Sequence, residues 1–213
     1  MACFAQIKRL HRVALAVLVL VVAVPSAAQN FDKGTKAYKQ ADYGTAMREW
    51  EPLAVRGDLI AQYNMGVLYD SGLGVPADKA RARLWYQKSA EQGYAQAQNN
   101  LGRMFYLGDE VPPDYAKAAA YFRQSAAQGV AFSHFFLGMI YAGGGPGVKS
   151  DPIQAYKWLS IASDLHDHGR YRNDALASRA LIAQGMSEAH ISVAERLAFD
   201  WMEKFKQKRA SQK

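Results

Sequence analysis

The sequence predicts an all-α protein, an α-solenoid of stacked antiparallel helix hairpins. Three observations carry that prediction. The chain matches itself when slid by 36 residues. Each matching unit holds two stretches with small and apolar residues at helical spacing. Gly and Pro punctuate between the stretches, as at Gly72-Leu73-Gly74-Val75-Pro76. One such hairpin cannot bury its own apolar faces, but stacked neighbours can.

The composition agrees. Of 213 residues, 50% are hydrophobic and 21% charged, which is globular rather than disordered. A single cysteine, Cys3, excludes a disulfide framework and a thiolate metal site.

Residues 1–28 read as a secretory signal peptide. Lys8, Arg9 and Arg12 precede the apolar run Val13 to Val24, and Ser26-Ala27-Ala28 supplies small residues for cleavage before Gln29. Twelve residues of helix rise only ~18 Å, against a hydrocarbon core of ~30 Å, so the run is too short to span a membrane. The expected location is therefore periplasmic or secreted. The formal charge of +7 sits largely at the ends: three bases in the leader, and five in Lys204 to Lys213. The body between them is close to neutral, which argues against nucleic acid as a partner. The basic end, 208–213 with the residues just before it, is expected to be solvated. Its alternative role is weak attraction to an anionic surface.

Residues 29–57, with Gly34, Tyr38, Ala41-Asp42-Tyr43, Ala46 and Trp50, form a tight first hairpin. Repeats follow over 58–93, 94–129 and 130–169. Ala61-Gln62-Tyr63-Asn64-Met65-Gly66 falls on Ala97-Gln98-Asn99-Asn100-Leu101-Gly102, and Leu137-Gly138 begins the third match. Helical glycine costs about 1 kcal/mol against alanine. Its return at Gly66, Gly102 and Gly138 is expected to let a second helix approach closely, with Trp85, Tyr121 and Trp158 opposite. Two capping helices should occupy 170–207, Tyr171 to Gln184 and Ser187 to about Lys206, with Ser187 as an N-cap.

At these residues the chain resembles the Sel-one-like repeats, a subfamily of the tetratricopeptide repeats. The pattern is carried by Ala61, Met65-Gly66, Tyr69, Gly72-Leu73-Gly74-Val75, Asp78, Ala82, Trp85-Tyr86, Ser89-Ala90 and Gly93. Repeat two has Asp109-Glu110 where the second loop glycine would stand. The resemblance implies a right-handed superhelix and a binding scaffold without chemistry of its own. It implies a protein or peptide partner, here one in the cell envelope, held in a concave groove lined by the first helix of each pair. The family's groove positions fall on Tyr63, Asn64 and Val67; on Gln96, Asn99, Asn100 and Arg103; and on Phe132, Phe135, Phe136 and Met139. None of these is expected in the helix seam, which should use Met65, Leu101, Leu137 and the glycines. The phenylalanines have an alternative role, packing on the C-terminal cap.

An enzyme is the competing class, an envelope hydrolase acting on cell-wall or β-lactam material. The branch of the family associated with β-lactams is cysteine-paired, and the chain lacks cysteine after the leader. Gly143 to Ser150 has the glycines of a phosphate loop, but Val148 breaks the required Gly-Lys-Ser order and no strand precedes it. Asp164-Leu165-His166-Asp167-His168 has metal-ligand types without the spacing of a known site. His134 takes the place of Gln62 and Gln98 and is expected on the surface. His190 is expected to be exposed. Nucleophile, base and oxyanion donor cannot be assigned together, so no catalytic residue, metal or cofactor is expected.

Overall fold

The computed structural model describes residues 27–109, 112–165 and 170–211. The expected leader up to Ser26, and His166 to His168, lie outside the described residues. Among the described residues there are ten helices and no strand. They are α1 Ala27–Lys39, α2 Tyr43–Val55, α3 Leu59–Ser71, α4 Lys79–Glu91, α5 Ala95–Leu107, α6 Tyr115–Ala126, α7 Ala131–Gly143, α8 Pro152–Leu165, α9 Arg170–Ala183 and α10 Glu188–Ala210.

Consecutive helices pair as hairpins, α1 with α2, α3 with α4, α5 with α6 and α7 with α8, and each hairpin stacks on the next. This is the expected α-solenoid. α9 packs on α8 and touches α7, while α10 returns to lie against α8. No described helix is long and apolar enough to cross a membrane.

The first helices of repeats one and two stop at glycines. Gly72 and Gly108 adopt left-handed φ of 67° and 78°, each donating to the carbonyl four residues back. The chain then returns through one recurring contact. The amides of Asp78, Asp114 and Asp151 donate to the carbonyls of Tyr69, Phe105 and Tyr141 at 2.9, 2.9 and 2.8 Å. The same three aspartates then cap the helices that follow, accepting from Arg81, Lys117 and Gln154 amides. Ser187 caps α10, accepting from the His190 amide, as expected.

The pairing of the two helices within a repeat also recurs as hydrogen bonds. Ser89 donates to the Leu59 carbonyl at 2.7 Å and Ser125 to the Ala95 carbonyl at 2.8 Å. Gln92 donates to the Gln62 side chain at 2.7 Å and Gln128 to that of Gln98 at 2.9 Å.

The helical glycines do admit a close neighbour, but not the residues expected. A Cβ on Gly66 would lie 2.5 Å from Tyr86, one on Gly102 2.6 Å from Phe122, and one on Gly138 2.6 Å from Leu159. Trp85, Tyr121 and Trp158 stand one residue earlier, and a helical step of ~100° turns them to another face. They fill the core shared with the hairpin before. Trp85 packs against the cluster of Trp50, Met65 and Leu68, Tyr121 against that of Leu101 and Met104, and Trp158 joins Phe122 and Leu137.

Candidate functional site

The N-terminal hairpin forms one end of the expected groove. Gly34 brings α1 against Trp50, since a Cβ there would lie 2.5 Å from the indole nitrogen. Trp50 Nε1 donates to the Phe31 carbonyl at 3.3 Å, and the Tyr38 ring lies 5.6 Å from that of Trp50. These contacts hold open a pocket of about 400 Å³ lined by Phe31, Thr35, Tyr38, Lys39, Trp50, Tyr63, Asn64 and Val67. Three expected groove residues from repeat one therefore meet, beside aromatic side chains of the preceding hairpin.

At the middle of the expected groove positions stands a carboxylate. Asp70, with a side chain only 9% exposed, accepts from Arg103 at 2.7 Å and also pairs with Lys79. The Tyr86 hydroxyl donates at 3.3 Å to Oδ2, the oxygen that also accepts from Arg103, while Lys79 pairs with Oδ1. Burial, then the Asp70 charge, raises the pKa of Tyr86 far above the ordinary phenol range, so this hydroxyl stays protonated. Burial also raises that of Tyr63. Hydrogen bonding to Asn100 opposes the shift at both tyrosines. Arg103 is thus held in place by a partner on the neighbouring repeat rather than extended into water. Arg103 also lies 4.0 Å from Asp109, so two carboxylates face two cations and the charges at this spot balance.

The remaining groove positions divide. Asn99 accepts from Ser133 at 2.9 Å, a link between repeats two and three. Gln96 is exposed and lines a different cleft, with Gln92, Tyr94, Gln128 and Val130. Phe132 and Phe135 meet Tyr171 of α9, with ring centroids 4.2 and 6.3 Å away. Phe136 stacks on Phe122 at 5.0 Å and lies 5.3 Å from Tyr106. Met139 is half-buried on the same helix. The expectation that the seam uses none of these residues fails for Phe136, and for Tyr63 and Val67, which pack on the Tyr86 and Leu101 core. A solenoid face is continuous with its seam, so a half-buried side chain contributes to both.

Asp70 and the α1–α2 aromatic wall were not among the expected site residues. A signal for Asp70 was present. Its counterparts in the next two repeats are Tyr106 and Ala142, so it is a departure from the repeat and is not explained by the repeat.

His134 corrects its expectation more sharply. It is fully buried, its ring 4.8 Å from Trp201 and 5.8 Å from Trp158, and its Nδ1 lies 3.1 Å from the Val130 carbonyl. Trp201 belongs to α10, which packs against α8, and the counterparts Gln62 and Gln98 are buried as well. His190 is exposed. Of the segment Gly143 to Ser150, Gly143 ends α7 and the rest lies in the loop between α7 and α8, closed by the bridge of Gly145 to Val148. Among the described residues, no group of three or more His, Cys, Asp or Glu side chains could hold a metal ion.

Comparison with known proteins agrees with this geometry. The chain belongs to the Sel1 repeat family. The family model matches residues 59–94, 95–130 and 131–167, half of the chain. Similar solved structures include a Sel1 repeat protein from Oxalobacter formigenes. It is 28% identical, with a TM-score of 0.64, over 82% of this chain and 70% of that one. Another is c5321, a protective antigen present in uropathogenic Escherichia coli strains displaying an SLR fold. It is 25% identical, with a TM-score of 0.51, over 84% of this chain and 46% of that one. No curated protein matches the chain. Sel1 repeats generally serve as non-enzymatic scaffolds for protein interaction.

Proposed function

We propose that the protein is an exported scaffold that holds a peptide, or an extended segment of a protein partner in the cell envelope, along the groove. The observation that carries this reading is the apolar pocket of Phe31, Tyr38, Trp50, Tyr63 and Val67 beside Asn64. Such a pocket takes an apolar side chain, and buried aromatics are the commonest energetic anchors of an interface. Asn100 and Arg103 lie further along, on the first helix of repeat two, where an amide and a guanidinium suit a peptide backbone and a carboxylate. Export rests on the leader, and the basic end of α10 offers weak contact with an anionic surface.

Two measurements test the reading. Mass spectrometry of the protein recovered from the periplasm should find Gln29 at its N-terminus; a chain that begins at Met1 overturns export. Asn64→Arg places a long charged side chain at the pocket mouth. It should leave helicity and melting unchanged and weaken capture of an envelope partner about tenfold, the value of one lost anchor at ~1.4 kcal/mol. Equal capture by variant and wild type moves the binding face elsewhere.

A further inference from the structure

A second cleft, of about 680 Å³, opens where α6, the loop between α7 and α8, and the start of α10 meet. It shares no lining residue with the expected groove. Its apolar wall includes Ala116, Ala119, Val148 and Ile153, and its cations are Arg123 and Lys149. Lys157 follows Ile153 by one helical turn. It is half-buried, with its ammonium 4.2 Å from the Trp158 ring centroid. Burial, and the charge of Arg123 nearby, lower its pKa below the usual lysine range.

The acids of the fold do not answer these charges. Among the described residues, ion pairs engage Lys33, Lys79, Arg81, Arg103, Lys117 and Lys206, and no carboxylate lies within 4.0 Å of Arg123, Lys149 or Lys157. Asp151 lines the cleft, but it caps α8, accepting from the Gln154 amide at 3.0 Å. Arg123 and Lys149 are exposed and Lys157 is half-buried. Like charges gathered at one cleft repel, and an anion between them would offset that cost. Arg123 is also restrained. Its guanidinium donates to the Tyr141 hydroxyl and lies 5.8 Å from that ring's centroid. A restrained guanidinium loses little entropy when it binds a planar anion.

We propose that this cleft binds the carboxylate of a small organic anion, with Arg123 and Lys149 holding the carboxylate and the apolar wall holding its hydrocarbon part. A carboxylate fits better than a phosphate for two reasons. The Ser150 hydroxyl, which would serve a third oxygen, already donates to the Ala142 carbonyl at 3.0 Å. Asp151 repels a dianion more strongly than a monoanion.

The test is an amide-resolved NMR titration of the full mature chain with N-acetylalaninate, with its neutral analogue N-acetylalaninamide, and with inorganic phosphate. N-acetylalaninate should shift the Gly147 to Asp151 amides and that of His190 saturably, and the neutral analogue should not. Arg123→Gln should weaken binding about tenfold, as expected for a lost charge-assisted bond. Lys149→Gln, on an exposed loop where folding is not at stake, should weaken it in the same direction. Asn64→Arg should leave it unchanged, which separates this cleft from the groove. Equal response to the neutral analogue, response to phosphate alone, or wild-type binding by Lys149→Gln overturns the proposal.

Discussion

Gly102 shows how much one missing side chain decides. It stands inside α5, where alanine would favour the helix, yet its Cα faces the Phe122 ring of the partner helix. Gly66 and Gly138 do the same work against Tyr86 and Leu159. Gly102→Val would force three carbons into a filled seam and should cost about 1–3 kcal/mol, the usual range for overpacking. Chemical denaturation measures it. Gly185→Ala is the control, because its Cβ would meet nothing closer than the Ile182 carbonyl at 3.8 Å. It should change stability by less than about 0.5 kcal/mol. If both variants behave alike, the close approach is incidental. The recurrence of the glycines was legible in the chain. Their partners were misplaced by one residue, because periodicity locates a large side chain without fixing which of two adjacent faces it takes.

Helix starts are the best-determined feature of the elements. Asp42 and Asp114 cap α2 and α6, accepting from the Thr45 and Lys117 amides at 3.1 and 2.9 Å. Hydrogen bonds from those residues hold both carboxyls below the ordinary aspartate value of 3.8. A carboxylate whose pKa is depressed in the folded state stabilises it above the unfolded pKa. That contribution is lost as pH falls through the folded value. Asp42→Asn with Asp114→Asn keeps the capping oxygen without the titration. The double variant should match wild type in helicity at pH 7, and below pH about 3.8 it should lose stability less steeply than wild type. Denaturant melts between pH 2 and 7, followed by circular dichroism, read the difference. Superimposable acid branches would mean that other carboxylates govern it. The loop glycines and the Ser187 cap are local chemistry, which is why they could be read from the sequence, and the aspartate caps, though as local, emerged only with the structure. The hub at Asp70 joins residues of two repeats, and nothing local marks it except its failure to recur.

At the scale of the molecule, α10 decides the character of the C-terminal end. Phe205 is buried, and a Cβ on Gly129 would lie 2.6 Å from its ring. Trp201 stacks on Phe205 at 5.0 Å and covers His134. The helix runs on through the basic residues to Ala210, so much of the expected solvated end is ordered helix. Burying one large aromatic side chain stabilises by up to about 3 kcal/mol. At this chain length about 1 kcal/mol moves the melting temperature by 2–4 °C. Truncation after Met186 should therefore lower melting by about 10 °C and raise binding of an apolar dye, as Trp158 and its neighbours become accessible. An unaltered melting curve would show that the stacked repeats end stably at α9.

The sequence by itself determined the class of fold, the period, the loop glycines and the Ser187 cap. In a solenoid each unit touches its neighbours, so the determinants recur along the chain where periodicity can reveal them. The tertiary structure alone decided which rings meet the glycines, how Asp70 restrains Arg103, and how α10 buries His134. It also decided that Arg123, Lys149 and His190 border one cleft. These depend on side chains well separated in sequence, and on the direction each takes from its helix, which spacing does not encode.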